Sequence, residues 1–210
     1  MAERLRKEKR KFSSFTPQEA MRWLGLEQLT KWELNNTPLA PTPFFTERLN
    51  RLERHFDLVG SEGAKDMLIE AICEEVLEHH PHLRVWKETP LSSDKLAGYV
   101  DYLIGRQQRY VEIPLLCVVE AKKDKFEEGL GQCLVEMDAC RWNNRQKGLD
   151  IDVYGIVTNG VTWVFYKSAT TGETFETLPF SISSIESVMG ALGYVFGKCE
   201  ENLAQWAQAA

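Results

Sequence analysis

The chain has 210 residues, of which 43% are hydrophobic and 27% charged, with a formal net charge of −6. That composition excludes a chain disordered throughout, and the length suits one domain with a sizeable core and an appendage. The mildly acidic balance excludes attachment to nucleic acid by bulk charge, while a local basic groove stays open.

No apolar run reaches the length of a membrane span, and no signal-peptide core follows Met1. The expectation is a cytoplasmic protein with no membrane partner. Five cysteines, Cys73, Cys117, Cys133, Cys140 and Cys199, form no Cys-x-x-Cys pair. Most lie in apolar patterns, as reduced core thiols do, and a zinc site built from them is not expected.

The first dozen residues carry Arg4, Arg6, Lys7, Lys9, Arg10 and Lys11 and read as a frayed or helical basic tail. Thr16-Pro17 with Glu19 gives a capping box at a helix start. Asn35 to Pro43, with three prolines, reads as a linker, and Phe44 to Leu58 as a short helix. Residues 1–60 are thus expected to form an N-terminal helical extension, whose Trp23 and Trp32 either pack on the core or meet a partner. Residues 61–210 form the main domain.

That domain opens at Ser61 with a helix to about His79, whose stripe is Leu68, Ile69, Ile72 and Val76. Strands are expected at Arg84–Glu88, Gly98–Ile104 and Leu115–Glu120, then a helix over Phe126–Trp142. Val153–Thr158 and Val161–Tyr166 flank Asn159-Gly160, a strong hairpin signal. A further strand at Thr174–Leu178 and a closing helix over Ile182–Asn202 complete an α/β chain with a mixed sheet. His79, His80 and His82 lie at a helix end, where the dipole favours them, and no acid or cysteine completes a ligand set.

Leu115 to Lys122 carries the chemistry. The apolar run ends in Glu120-Ala121-Lys122, and period-two alternation puts Glu120 and Lys122 on one face. Asp101 lies nineteen residues before Glu120 in another strand-like run. Charges at the ends of buried strands are costly unless paired or metal-bound. Two carboxylates on neighbouring strands can hold magnesium, and a lysine beside them can serve an attacking water. A plain salt bridge between Glu120 and Lys122 also accounts for the pair.

These residues resemble the PD-(D/E)xK, or restriction-endonuclease-like, nuclease superfamily, and are most similar to its type I restriction-enzyme-like nuclease domains. The resemblance runs over residues 61–166 and includes Ser61-Glu62 and Thr158-Asn159-Gly160-Val161-Thr162-Trp163. Val100 stands where the family often has proline before the aspartate. The resemblance implies an αβββαβ core and a hydrolase, an endonuclease acting on DNA, working as a homodimer or as one subunit of a larger assembly. It implies Asp101, Glu120 and the carbonyl of Ala121 as ligands of magnesium or manganese, with Lys122 assisting the water.

Gln132 in the following helix joins the implied site, or is an exposed helix glutamine. Its Gly129-Leu130-Gly131 entry is suited to close backbone approach. The resemblance favours Glu62 as the first-helix acid; helical geometry permits Glu62 or Glu75 and turns Glu70 and Glu74 to solvent. Lys123 and Lys125 are either solvated or meet the nucleic-acid backbone. The competing reading is a catalytically silent nuclease-fold module that binds nucleic acid or a protein.

Overall fold

The computed structural model describes residues 8–58, 60, 62–122 and 126–209, with the side chains of Glu62, Gln208 and Ala209 outside that set. The expectations for Arg4, Arg6, Lys7, Ser61, Lys123, Lys125 and the Glu62 carboxylate therefore lie outside the described residues.

Strand β1 (Arg10–Lys11) leads through a 3-10 turn to helix α1 (Pro17–Leu24), then β2 (Thr30–Lys31) and α2 (Pro43–His55). Helix α3 (Glu62–Leu77) precedes β3 (Leu83–Ser92), β4 (Leu96–Arg106) and β5 (Leu115–Ala121). Helix α4 (Phe126–Gln146) crosses to β6 (Val153–Thr158) and β7 (Thr162–Ser168), followed by β8 (Thr174–Glu176), β9 (Phe180–Ser181) and α5 (Ile185–Ala209). The strands form one mixed sheet in the order β1-β4-β5-β6-β7-β8-β2, with β3 added on β4 and β9 on β7. The chain is therefore α/β.

Strand β5 is central, antiparallel to β4 and parallel to β6, and all seven of its residues are buried. Its unbroken apolar run follows from cover on both faces. On one face Leu115 and Val118 meet Cys133, Leu134 and Met137 of α4. On the other, Leu116 and Val119 belong to one core cluster with Ile69, Ile72 and Val76 of α3 and Val188 and Leu192 of α5.

Helix α4 is enclosed rather than amphipathic. Its outer side is covered by α1 and by Phe12 and Phe15, which are nearly fully buried. Gly131 makes that contact possible, since a Cβ there would lie 2.6 Å from the carbonyl oxygen of Phe15. Near the far end, the buried Asn144 side chain accepts from Leu115 N at 2.9 Å and donates to Leu115 O at 2.8 Å. Its amide thereby satisfies both backbone groups at the start of β5.

The capping box at α1 forms: Thr16 Oγ1 accepts from Glu19 N at 3.3 Å, and Thr16 N donates to Glu19 Oε2 at 3.0 Å. The β6–β7 hairpin forms at Asn159-Gly160, with Asn159 Oδ1 accepting from Val161 N and Thr162 N. Gly160 supplies the positive φ of +83° that the turn requires.

Three elements differ from expectation. Arg10 and Lys11 are not frayed: they pair with Leu96 and Ala97 of β4, and Arg10 binds Glu19 at 3.0 Å. Thr30 and Lys31 pair with β8, so the N-terminal segment supplies strands as well as helices. Strand β3 runs on to Ser92, paired with β4 to its end, and Pro90 is tolerated because β3 has no second neighbour among the described residues. Trp32 stacks on Tyr154, and Trp23 packs edge-on to Phe15 while donating to Asp138. The five cysteines are buried, unbridged thiols. His80 pairs with Glu200 at 3.1 Å. Among the described residues no helix is long and apolar enough to cross a membrane.

Candidate active site at the end of strand β5

The register that pairs Tyr102 with Val119 carries Asp101 alongside Glu120, where β4 and β5 part. Asp101 Oδ2 accepts from Ala121 N at 2.9 Å. Ala121 thus meets Asp101 through its N–H. Lys122 N donates to Thr158 O at 2.8 Å, which prolongs the β5–β6 ladder by one residue. The side chains of Glu120 and Lys122 then share a face, and the Lys122 ammonium contacts Glu120 Oε1.

Helix α4 completes the cluster. Gln132 is buried, so the alternative of an exposed helix glutamine is overturned. Its Nε2 donates to Glu120 Oε2 and to Glu136 Oε1, each at 2.9 Å, and its Oε1 accepts from Lys122 Nζ at 3.3 Å. Gly129 lets the helix approach this closely. A Cβ there would lie 2.8 Å from Val157 Cγ1 and 2.9 Å from Lys122 Cγ.

Burial, and then the Asp101 carboxylate, push Glu120 up to about 8, against the pull of Lys122. Burial, and then Glu120, raise Glu136 well above the usual carboxylate range. Burial opposes the Lys122 charge, yet Glu120, Asp101 and Glu136 outweigh it and hold the ammonium above its ordinary value. The direct contact with Lys122 favours the ionised form of Glu120. The proton of the crowded pair therefore sits on Glu136, which touches no cation and whose Oε2 has no hydrogen-bond partner among the described residues.

The structure thus brings Asp101, Glu120, Lys122 and Gln132 together. It turns Glu75 away: that carboxylate is buried under α2 and accepts from Thr42 N at 2.6 Å. Glu74 does face outward and pairs with Arg48. Glu70 is partly exposed, as expected, yet it also binds Lys87 and accepts from the Tyr102 hydroxyl at 3.3 Å. Asp66, one turn earlier on α3, also faces Tyr102 and Asp101, and burial raises its carboxyl. Among the described acids of α3, Asp66 and Glu70 are the ones that face Tyr102, beside Asp101. Their helix packs against strands on the side where a single apolar stripe predicts solvent.

Glu136 also escaped the sequence reading. In an enclosed helix it belongs to no polar face, and the only signal for it is the i,i+4 spacing from Gln132.

Across β4 from Asp101, Glu88 has a φ of +46° and interrupts the β3–β4 ladder. For a residue with a side chain this left-handed conformation is strained. A groove of about 570 Å³ opens on the α3 face between Glu70, Lys87 and Tyr102, with Cys73, Val85 and Ile104 among its lining. Asp101 and Glu120 do not line it.

Among the described residues, no set of three or more His, Cys, Asp or Glu is placed to hold a metal ion. Magnesium, however, is usually bound by one or two carboxylates, with water and substrate phosphate completing its shell. Asp101 and Glu120 are two such donors, close enough that Asp101 disfavours the charge on Glu120. The pair fits a hard divalent cation in donor chemistry. No protein-family model matches the chain, and no curated protein is significantly similar to it.

Proposed function

We propose that this chain is a metal-dependent nuclease of the PD-(D/E)xK type, an endonuclease that hydrolyses phosphodiester bonds in DNA. The observation that carries this reading is the meeting of Asp101, Glu120 and Lys122 at the paired ends of two strands. A magnesium ion bound by Asp101 and Glu120 would neutralise phosphate charge and make a water nucleophilic.

The chain's own residues divide the remaining work. Lys122 is held as an ammonium, so it does not take the water's proton. It donates hydrogen bonds, which orient the water and offset charge developing on the phosphate. Gln132 holds both Glu120 Oε2 and the ammonium, and so fixes the distance between acid and base. The alternative, a module that binds nucleic acid or a protein without cutting, is favoured by the direct contact through which Lys122 already neutralises Glu120.

The test is cleavage of plasmid, single-stranded DNA and RNA with magnesium or manganese by wild type, Glu120→Ala and Lys122→Ala. The proposal expects activity in wild type alone; equal activity in all three sinks it. Binding without cleavage of any substrate supports the silent module. Magnesium should raise the melting temperature of wild type by mass action, and Asp101→Asn should abolish that rise.

A further inference from the structure

We infer that Glu136 is a positioning residue of this site, which sets the orientation of the Gln132 carboxamide and through it holds Lys122 against Glu120. The inference rests on the reading of Asp101, Glu120 and Lys122 just given.

The argument begins with the asymmetry of an amide. A glutamine side chain has two N–H donors on one end and a carbonyl acceptor on the other. Lys122 only donates, whereas Glu120 and Glu136 both offer oxygens that accept. Only one orientation satisfies all three neighbours, with Nε2 between the two carboxyl groups and Oε1 toward the ammonium. Reversed, the amide would set N–H groups against the ammonium and its carbonyl against two acid oxygens. Glu136 supplies half of the acceptor side, and at four residues from Gln132 it lies one helical turn away.

Burial makes that contact irreplaceable. Glu136 is fully buried and Gln132 nearly so, so water does not take over the bond. The Glu136 contact with Gln132 is also its only hydrogen bond among the described residues. A carboxyl in such a place costs stability that an apolar side chain of similar volume would not. Packing alone therefore does not account for an acid here; aiming Gln132 does.

The test compares Glu136→Leu with Glu136→Gln, which keeps a carbonyl acceptor for Gln132. In metal-free ¹⁵N-labelled protein, the side-chain amide signals of Gln132 are identified by their loss in Gln132→Leu. They should shift in Glu136→Leu and stay near wild type in Glu136→Gln. In cleavage assays Glu136→Leu should lose kcat by about tenfold or more with KM unchanged, the cost of an unpaired buried donor, and Glu136→Gln should rescue it. In a Gln132→Leu background, Glu136→Leu should cause no further loss, because its effect passes through Gln132.

Gln132 signals that stay in place in folded Glu136→Leu overturn the inference, and so does an additive loss of kcat. If wild type cleaves nothing, the nuclease reading fails while the amide signals still decide the role of Glu136. Glu136→Met serves the same comparison if Glu136→Leu does not fold.

Discussion

Gly129 faces the aliphatic stem of Lys122 so closely that a Cβ on it would lie 2.9 Å from Lys122 Cγ. The same atom would meet Val157 Cγ1 at 2.8 Å, and β-branched valine has little freedom to withdraw. The strain therefore falls on the flexible lysine. Gly129→Ala gains about 1 kcal/mol of helix propensity, against an overpacking cost of about 1–3 kcal/mol. The expected outcome is a small change in melting temperature with a large loss of activity, measured by thermal unfolding alongside cleavage kinetics. Unchanged kcat would show that Lys122 tolerates displacement.

The buried Glu136 carboxyl sets a pH dependence for the metal-free protein. Unfolded, Glu136 has its ordinary carboxyl value of 4.5; folded, burial and then Glu120 hold it well above that. The native state thus binds more protons than the unfolded state across that window, and stability falls as pH rises. The contribution is fully present below 4.5 and is lost as pH rises through the raised Glu136 value. Melting temperatures taken with chelator from about pH 5 to about pH 9 should decline more steeply for wild type than for Glu136→Gln. Parallel slopes would remove Glu136 from the account.

Glu75 serves the fold and not the site. Glu75→Ala strips the acceptor from Thr42 N–H at the start of α2. The expected loss is about 1–3 kcal/mol in denaturant unfolding, with the magnesium-induced rise in melting temperature intact. Loss of that rise would return Glu75 to the list of candidate first-helix acids.

Glu88 carries the strain beside Asp101. Glycine adopts its φ of +46° freely. Glu88→Gly should be more stable than wild type by up to about 1–2 kcal/mol, and Glu88→Val, being β-branched, less stable than wild type. Chemical denaturation of the three proteins decides between them, and a stable valine variant would mean that the ladder relaxes at no cost.

The parts legible in the sequence are those in which one local rule governs. Thr16, Pro17 and Glu19 cap a helix by their own hydrogen bonds, and Asn159-Gly160 closes a hairpin without help from elsewhere. Asp101, Glu120 and Lys122 were legible because alternation along a strand fixes a face. The pairing of β4 with β5 then brought those faces together. What escaped depends on distant partners. Arg10-Lys11 and Thr30-Lys31 are two-residue strands with no periodicity, and they exist because β4 and β8 leave an edge for them. Asp66 went unnoticed, and the Glu70 contacts with Lys87 and Tyr102 were not foreseen, because a single apolar stripe does not show which strands lie beside α3. Glu136 was invisible because an enclosed helix has no outer face to mark a polar residue as unusual.

The contact between Gly131 and the chain at Phe15 has a consequence for how this protein tolerates change. Helix α4 is gripped between the sheet and the segment from Phe12 to Leu24, and the grip falls one residue from Gln132. Loosening that segment would release the backbone that aims the glutamine, long before the sheet itself came apart. The cluster around Gln132 and the N-terminal segment thus share helix α4 as a common support. Damage to Phe12 or Phe15, remote in sequence from every acid and base of the site, should therefore register as lost chemistry as well as lost stability.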